Sequence, residues 1–227
     1  MGEGIVTRAS SSIFSNVLSK AILQLLPGGG ALDVLVEESI SRIQASRFEY
    51  LVDEIMRGRV EFDEETVRSD KFLHAFYITA KAATQSYHNE KIKMFAQLFT
   101  GTFRKDRFSN MDLYEELIGI IESLSIREVQ ILALLDEFET RYKVWSEPGN
   151  IMGRTTEYWK DFIDSLQSNL GLSTEIIPSI LIRIQRTGLY EKFPGYGNAG
   201  TEGALTPLYY ELKQYIDHET EAGHIKT

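Results

Sequence analysis

The sequence predicts an all-α chain, with an N-terminal helical bundle over residues 1–124, a C-terminal module over 125–218 and a flexible tail over 219–227. Apolar residues recur at three- and four-residue spacing through both halves, which is the mark of helices with one buried face. The connections between these stretches are short, so successive helices should pack as neighbours in a bundle. At Ser125-Ile126-Arg127-Glu128 the rhythm changes: the hydroxyl and carboxylate have capping-box spacing, which opens a new helix and with it a new module.

The elements follow in order. A first helix is expected over residues 13–26, where Ile13, Val17, Leu18, Ala21, Ile22 and Leu25 recur at helical spacing before Pro27 and three glycines end it. A second should run over 31–56, with Leu32, Val36, Ile40, Ile43, Leu51 and Ile55 as its buried stripe, stopped by Gly58. After an acidic connection at 61–65, Phe72, Phe76, Ala80, Ala83 and Tyr87 mark a third helix. Ile92, Phe95, Phe99 and Phe103 mark a fourth, with a kink or turn at 86–90 between them. Ser109 or Asn110 should cap a fifth through Leu124. In the second half a helix follows Ser125. A loop at Pro148-Gly149-Asn150 leads to a helix over 156–170, Gly171-Leu172-Ser173 turns the chain, and a further helix runs to Thr187. A last helix is expected from Pro207 to about His218.

Composition excludes several classes of function. With 43% hydrophobic residues and 12 Phe among 227 residues the chain can bury a sizeable core. The formal charge of -9 repels phosphate, which argues against sequence-independent nucleic-acid binding. Zero cysteines exclude disulfides, thiolate metal sites and a cysteine nucleophile, and fit a reducing, cytoplasmic setting. No targeting segment is expected, because Met1-Gly2-Glu3-Gly4 lacks the basic start of a signal peptide and Val6 stands where myristoylation wants Ser or Thr. The most apolar stretch, residues 21–36, is too short and too broken to span a membrane.

No catalytic, cofactor or metal site is expected. The tract Gly195-Tyr196-Gly197-Asn198-Ala199-Gly200 matches a dinucleotide fingerprint in letters, yet lacks the helix that must follow directly, and reads as a loop. Gly28 to Gly30 are followed by Ala31-Leu32, not by the Lys and Ser or Thr of a phosphate loop. Of the histidines His74, His88, His218 and His224, only His224 stands in a Glu-x-x-His spacing, and Glu221-Ala222-Gly223-His224 is a single instance interrupted by a glycine where a metal bundle wants two on facing helices; His74 with Asp70 reads as a surface pair. Glu37-Glu38 and Glu115-Glu116 are adjacent on helices, so their carboxylates diverge and suit solvated faces better than acid–base work.

Two resemblances bear on function. The run Ile184-Gln185-Arg186-Thr187-Gly188-Leu189-Tyr190, followed by Leu205-Thr206-Pro207-Leu208, resembles the end of the recognition helix, the wing hairpin and the last helix of winged-helix domains. That resemblance implies a small β wing in the C-terminal module. Leu26-Pro27-Gly28-Gly29, Arg42 with Arg47, and Glu90-Lys91 before Phe95-Ala96-Gln97-Leu98 resemble features of uncharacterised bacterial and prophage-associated helical proteins, a resemblance that brings no activity with it.

A DNA-binding winged helix presents polar and basic side chains to base edges. Here the helix over 173–187 is largely isoleucine, and residues 125–227 hold ten Lys or Arg against fifteen Asp or Glu. The leading expectation is therefore a non-catalytic adaptor or regulator that docks a protein partner. Its contact candidates are Ser173, Thr174, Glu175, Ser179, Arg183, Arg186, Lys192, Tyr196 and Asn198. The second expectation is a DNA-binding regulator using the same residues, possible as a homo-oligomer whose cations converge. Arg104, Lys105 and Arg107, set between Phe103 and Phe108, form a basic loop that could meet phosphate or an acidic partner, although a solvated loop anchored by its Phe residues is the plainer reading. A third expectation is a membrane-surface or phage-defence role for the first helix, whose polar side is Ser12, Ser15, Asn16, Ser19 and Gln24 with Lys20 its one charge, although a helix docked in the core of the bundle is the plainer reading.

Overall fold

A computed structural model describes residues 34–58, 60, 62–104, 110–142, 150–193 and 201–216, with backbone alone at 34–38 and 104. The described residues form nine helices and one two-stranded antiparallel sheet. The chain divides into two compact units, residues 1–122 with 215–227, and residues 123–214. The first helix expected over 13–26 and the tail over 219–227 lie outside the described residues.

In the first unit, α1 (Val34–Arg57) is followed by the single-turn α2 (Glu64–Arg68), α3 (Asp70–Gln85), α4 (Asn89–Arg104) and α5 (Met111–Ser123), whose last residue belongs to the second unit. Local hydrogen bonds set the starts of these helices. Asp63 accepts from the Thr66 N–H at 2.7 Å, and those backbone bonds hold its carboxyl below the usual range. Ser69 accepts from Phe72 N–H at 3.2 Å, and Asn110 from Leu113 N–H at 3.1 Å. The stretch expected to be a plain acidic connection thus carries a helical turn, because Asp63 caps Glu64 and Glu65, which sit at the favourable positive end. The turn expected at 86–90 separates α3 from α4. The core is aromatic: Phe72 lies 5.3 Å from Phe62 and Phe99 and 4.9 Å from Phe103, and Phe76 is 5.8 Å from Phe99 between ring centres. Where α3 carries Ala75, Thr79, Ala82 and Ala83 on its buried side, the small side chains allow close helix approach, and Thr79 bonds the buried Tyr114 hydroxyl of α5.

The stripe expected along α1 is corrected in its first half. Phe48, Leu51 and Ile55 are buried, but Ile40 and Ile43 are exposed, and Glu54, expected off the stripe, is buried and paired with Arg57 at 2.5 Å. The reason is register. Gly58 lies against Thr100 and Tyr50 is within electrostatic reach of Lys93, so α1 and α4 run alongside in one direction, and α4 begins level with the middle of α1. The Asp70–His74 pairing is also replaced, since His74 Nε2 lies 2.7 Å from Glu115 of α5.

In the second unit, α6 (Ile126–Tyr142), α7 (Ile151–Leu170) and α8 (Ile177–Gln185) precede a hairpin, β1 (Tyr190–Lys192) with β2 (Gly203–Leu205), and α9 (Pro207–Ile216), whose last two residues belong to the first unit. The capping box forms: Ser125 N–H donates to Glu128 at 2.8 Å and Glu128 N–H to Ser125 Oγ at 3.3 Å. α7 begins five residues earlier than expected because Asn150 accepts from Gly153 N–H at 2.9 Å, and it ends at Gly171, whose φ of 63° suits a residue without Cβ. α8 is shorter than expected: Ser173, Thr174 and Glu175 form a turn before it, and Pro178, with no N–H to donate, occupies its first turn. Tyr190 pairs with Leu205, Glu191 with Ala204 and Lys192 with Gly203. Ile131, Leu135, Phe138, Tyr158, Phe162, Ile180, Ile184, Leu189 and Leu205 are buried. No helix of the described residues is long and apolar enough to cross a membrane.

Candidate functional site

Three of the expected contact residues, Ser179, Arg183 and Arg186, come together on the outward side of α8 and of the residues that flank it. The inward side of α8 is fixed by Ile177, Ile180, Leu181 and Ile184, all buried, at the three- and four-residue spacing that keeps one face against the core. At 100° per residue, the solvent side then carries Ile176, Arg183, Ser179, Arg186 and Ile182 in angular order over an arc of about 120°. Two isoleucines, 44% and 48% exposed, border a strip of one hydroxyl and two guanidinium groups.

Arg183 is not a free cation. Its guanidinium lies 3.1 Å from Glu128, a buried carboxylate that also accepts from the Ser125 N–H and hydroxyl at 2.8 Å each. The capping carboxylate of α6 therefore neutralises and orients a side chain on α8. That arrangement ties the two helices together, and it lowers the charge Arg183 can offer a phosphate.

Ser173, Thr174 and Glu175 are exposed in the turn before α8, and Thr174 accepts from Gln167 Nε2 at 2.6 Å. Ser179 is exposed on α8, Arg186 is exposed at the position that caps its C-terminal end, and Lys192 is half-buried on β1. Tyr196, Asn198 and the whole glycine tract lie outside the described residues, as do Lys105 and Arg107; Arg104 ends α4 with only its backbone described. The structure thus brings Ser179, Arg183 and Arg186 onto one arc, and it adds Ile176 and Ile182, two exposed members of the isoleucine-rich stretch. The signal was present: apolar residues at 176, 177, 180, 181, 182 and 184 exceed what one face can bury.

A second cluster supports this surface from inside the unit. Glu139 of α6, 4% exposed, accepts from Leu205 N–H of β2 at 2.8 Å and from the Tyr210 hydroxyl of α9 at 2.6 Å. Burial raises its carboxyl above the ordinary 4.5, against the lowering effect of those two hydrogen bonds. Lys213 bonds Asp136 at 2.5 Å one turn earlier on α6, while burial pushes the Tyr158, Tyr190 and Tyr210 hydroxyls up, so they stay protonated donors. Tyr190 donates to the Thr201 carbonyl across the hairpin. Hairpin and α9 are thereby pinned to α6 by side-chain bonds as well as by packing. Among the described residues no group of three His, Cys, Asp or Glu side chains is placed to hold a metal ion.

Comparison of the chain with protein-family models, with curated proteins and with solved structures gave no match.

Proposed function

We propose that the chain is a non-catalytic adaptor or regulator whose C-terminal unit, read as a winged-helix module, docks a protein partner through the outward arc of α8. The observation that carries this reading is the pair of half-exposed isoleucines, Ile176 and Ile182, bordering Ser179, Arg183 and Arg186. A protein interface wants apolar area at its centre with arginine among it, whereas a duplex wants uncompensated cations. The order of helices, hairpin and final helix supports the winged-helix reading, as does the entry Leu205-Thr206-Pro207 into α9, where Thr206 Oγ accepts from Tyr209 N–H at 3.3 Å. Fold likeness contributes only the frame; the exposed side chains supply the argument.

The second reading, a DNA-binding regulator, rests on Arg183 and Arg186 sharing one arc. Fluorescence anisotropy with a labelled mixed-sequence duplex over a salt series separates the two. The docking reading expects weak binding, and a partner recovered by wild type but lost by Ile176→Asp/Ile182→Asp. Sub-micromolar binding with a steep salt slope that Arg183→Glu/Arg186→Glu abolishes would replace docking by DNA recognition.

A further inference from the structure

We infer that the outward arc of α8 pairs with the same arc of a second copy of this chain, the two helices lying antiparallel about a two-fold axis. The inference rests on the docking reading and names the partner of that site. Glu175, Ser179, Ile182 and Arg186 stand four, three and four residues apart, which is the spacing of a coiled-coil seam. The helical path holds over this whole stretch, one turn before α8 and one residue after it. The Ile176 and Ile177 N–H groups both donate to the Ser173 carbonyl, at 3.1 and 3.4 Å, and Arg186 keeps helical angles, with φ -64° and ψ -22°. At about 100° per residue the four positions fall within about 60° of one another. All four are exposed.

The seam complements itself in the antiparallel sense alone. Glu175 with Arg186, and Ser179 with Ile182, are centred on the same peptide, the one between Ile180 and Leu181. A two-fold axis through that point sets Glu175 against Arg186 of the second copy at both ends, and Ile182 against the small Ser179 of the second copy in the middle. A parallel pairing would set Glu175 on Glu175, and a duplex or a wholly acidic partner would leave Glu175 facing like charge. No ion pair to Glu175 or Arg186 is found among the described residues, so both charges are available. Arg183 does not oppose the pairing, because Glu128 already holds its guanidinium at 3.1 Å. Ile176 comes within about 3 Å of axial register with Arg183 of the second copy and lies against its methylene stem. A seam about 16 Å long buries less than the roughly 1,200 Å² of a stable interface, so the dimer should be weak, with a dissociation constant of about 10 to 100 micromolar.

Sedimentation equilibrium of the full chain reads the pairing directly, with far-UV circular dichroism to check that each variant is folded. Wild type should pass from monomer to dimer between about 5 and 500 micromolar. Glu175→Arg and Arg186→Glu each oppose like charges at both ends of the seam, and each should weaken the dimer about tenfold or more. The two single variants mixed together, or both changes joined in one chain as Glu175→Arg/Arg186→Glu, restore opposite charges throughout and should recover an affinity within about threefold of wild type. A wild-type chain still monomeric at about 500 micromolar, and without affinity for duplex, would overturn this inference alone, leaving the docking reading to its own test with Ile176→Asp/Ile182→Asp. Association unchanged by either single variant, or a loss that neither the mixture nor the double swap recovers, would place the contact on another face and likewise overturn it. Sub-micromolar duplex binding abolished by Arg183→Glu/Arg186→Glu would remove the docking reading and this inference together.

Discussion

Glu139 offers the sharpest test of how the second unit is held together. Its carboxylate accepts from the Leu205 N–H at 2.8 Å and from the Tyr210 hydroxyl at 2.6 Å, so one side chain of α6 satisfies a strand and a helix together. Glu139→Ala leaves the buried Leu205 amide without that acceptor, which costs about 1 to 3 kcal/mol, and opens space that adds about another 1 kcal/mol. A total near 2 to 4 kcal/mol is expected. Glu139→Gln keeps an oxygen for the Leu205 N–H and lets the Tyr210 hydroxyl turn round to accept from the amide, so its cost should stay within about 1 kcal/mol. The two variants also separate by pH. Burial raises the folded-state pKa of Glu139 above 4.5, so the native protein binds this proton more readily than the unfolded chain. The contribution of this group is therefore most favourable below 4.5 and declines as pH rises from there through the raised value. Glu139→Gln lacks that decline. Urea unfolding of the full chain from pH 4 to 8, read by tryptophan fluorescence, measures the effect in the right unit, because Trp145 and Trp159 both fall within residues 123–214. Parallel pH profiles for wild type and Glu139→Gln, or a loss under about 1 kcal/mol for Glu139→Ala, would refute the reasoning.

Two further outcomes follow from packing. Phe99, fully buried with ring centres 4.8 Å from Phe103 and 5.3 Å from Phe72, is a large member of the first unit's core, and Phe99→Ala should cost about 3 to 5 kcal/mol and lower the melting midpoint by about 10 °C. A midpoint within about 2 °C of wild type would show that the aromatic cluster is not packed as described. Gly203→Ala would place its Cβ where the Glu191 carbonyl and the Tyr190 hydroxyl already lie, so the hairpin must shift, at about 1 to 3 kcal/mol by urea unfolding; an unchanged urea midpoint would show that the strands are not in such close approach.

What residues 34–216 reveal by sequence and what they reveal only when folded divide by the distance over which the forces act. The capping box of Ser125 and Glu128, the Asn110 and Asn150 caps and the left-handed glycine at 171 were legible or nearly so, because each partner lies within three residues and helix geometry alone brings them together. The periodic placement of Phe72, Phe76, Phe95 and Phe99 likewise declared buried faces in advance. The site was less legible. Arg183 and Arg186 could be named from their place near the end of an isoleucine-rich helix, but Arg183 is held by Glu128, 55 residues earlier, and no spacing rule connects them.

Long-range neighbours decided the rest. His74 meets Glu115 across two helices and not Asp70 one turn away, because α5 packs beside α3 and offers the nearer carboxylate. Ile40, Ile43, Ile176 and Ile182 belong to apolar patterns that the sequence reads as buried, yet burial requires a second surface, and within the described residues no packed element covers those positions. Glu139 looks like any helical glutamate until β2 and α9 close over it. Periodicity determines which side of a helix is apolar; only the arrangement of the other elements determines how much of that side leaves water, and the excess that stays outside is where a partner can bind.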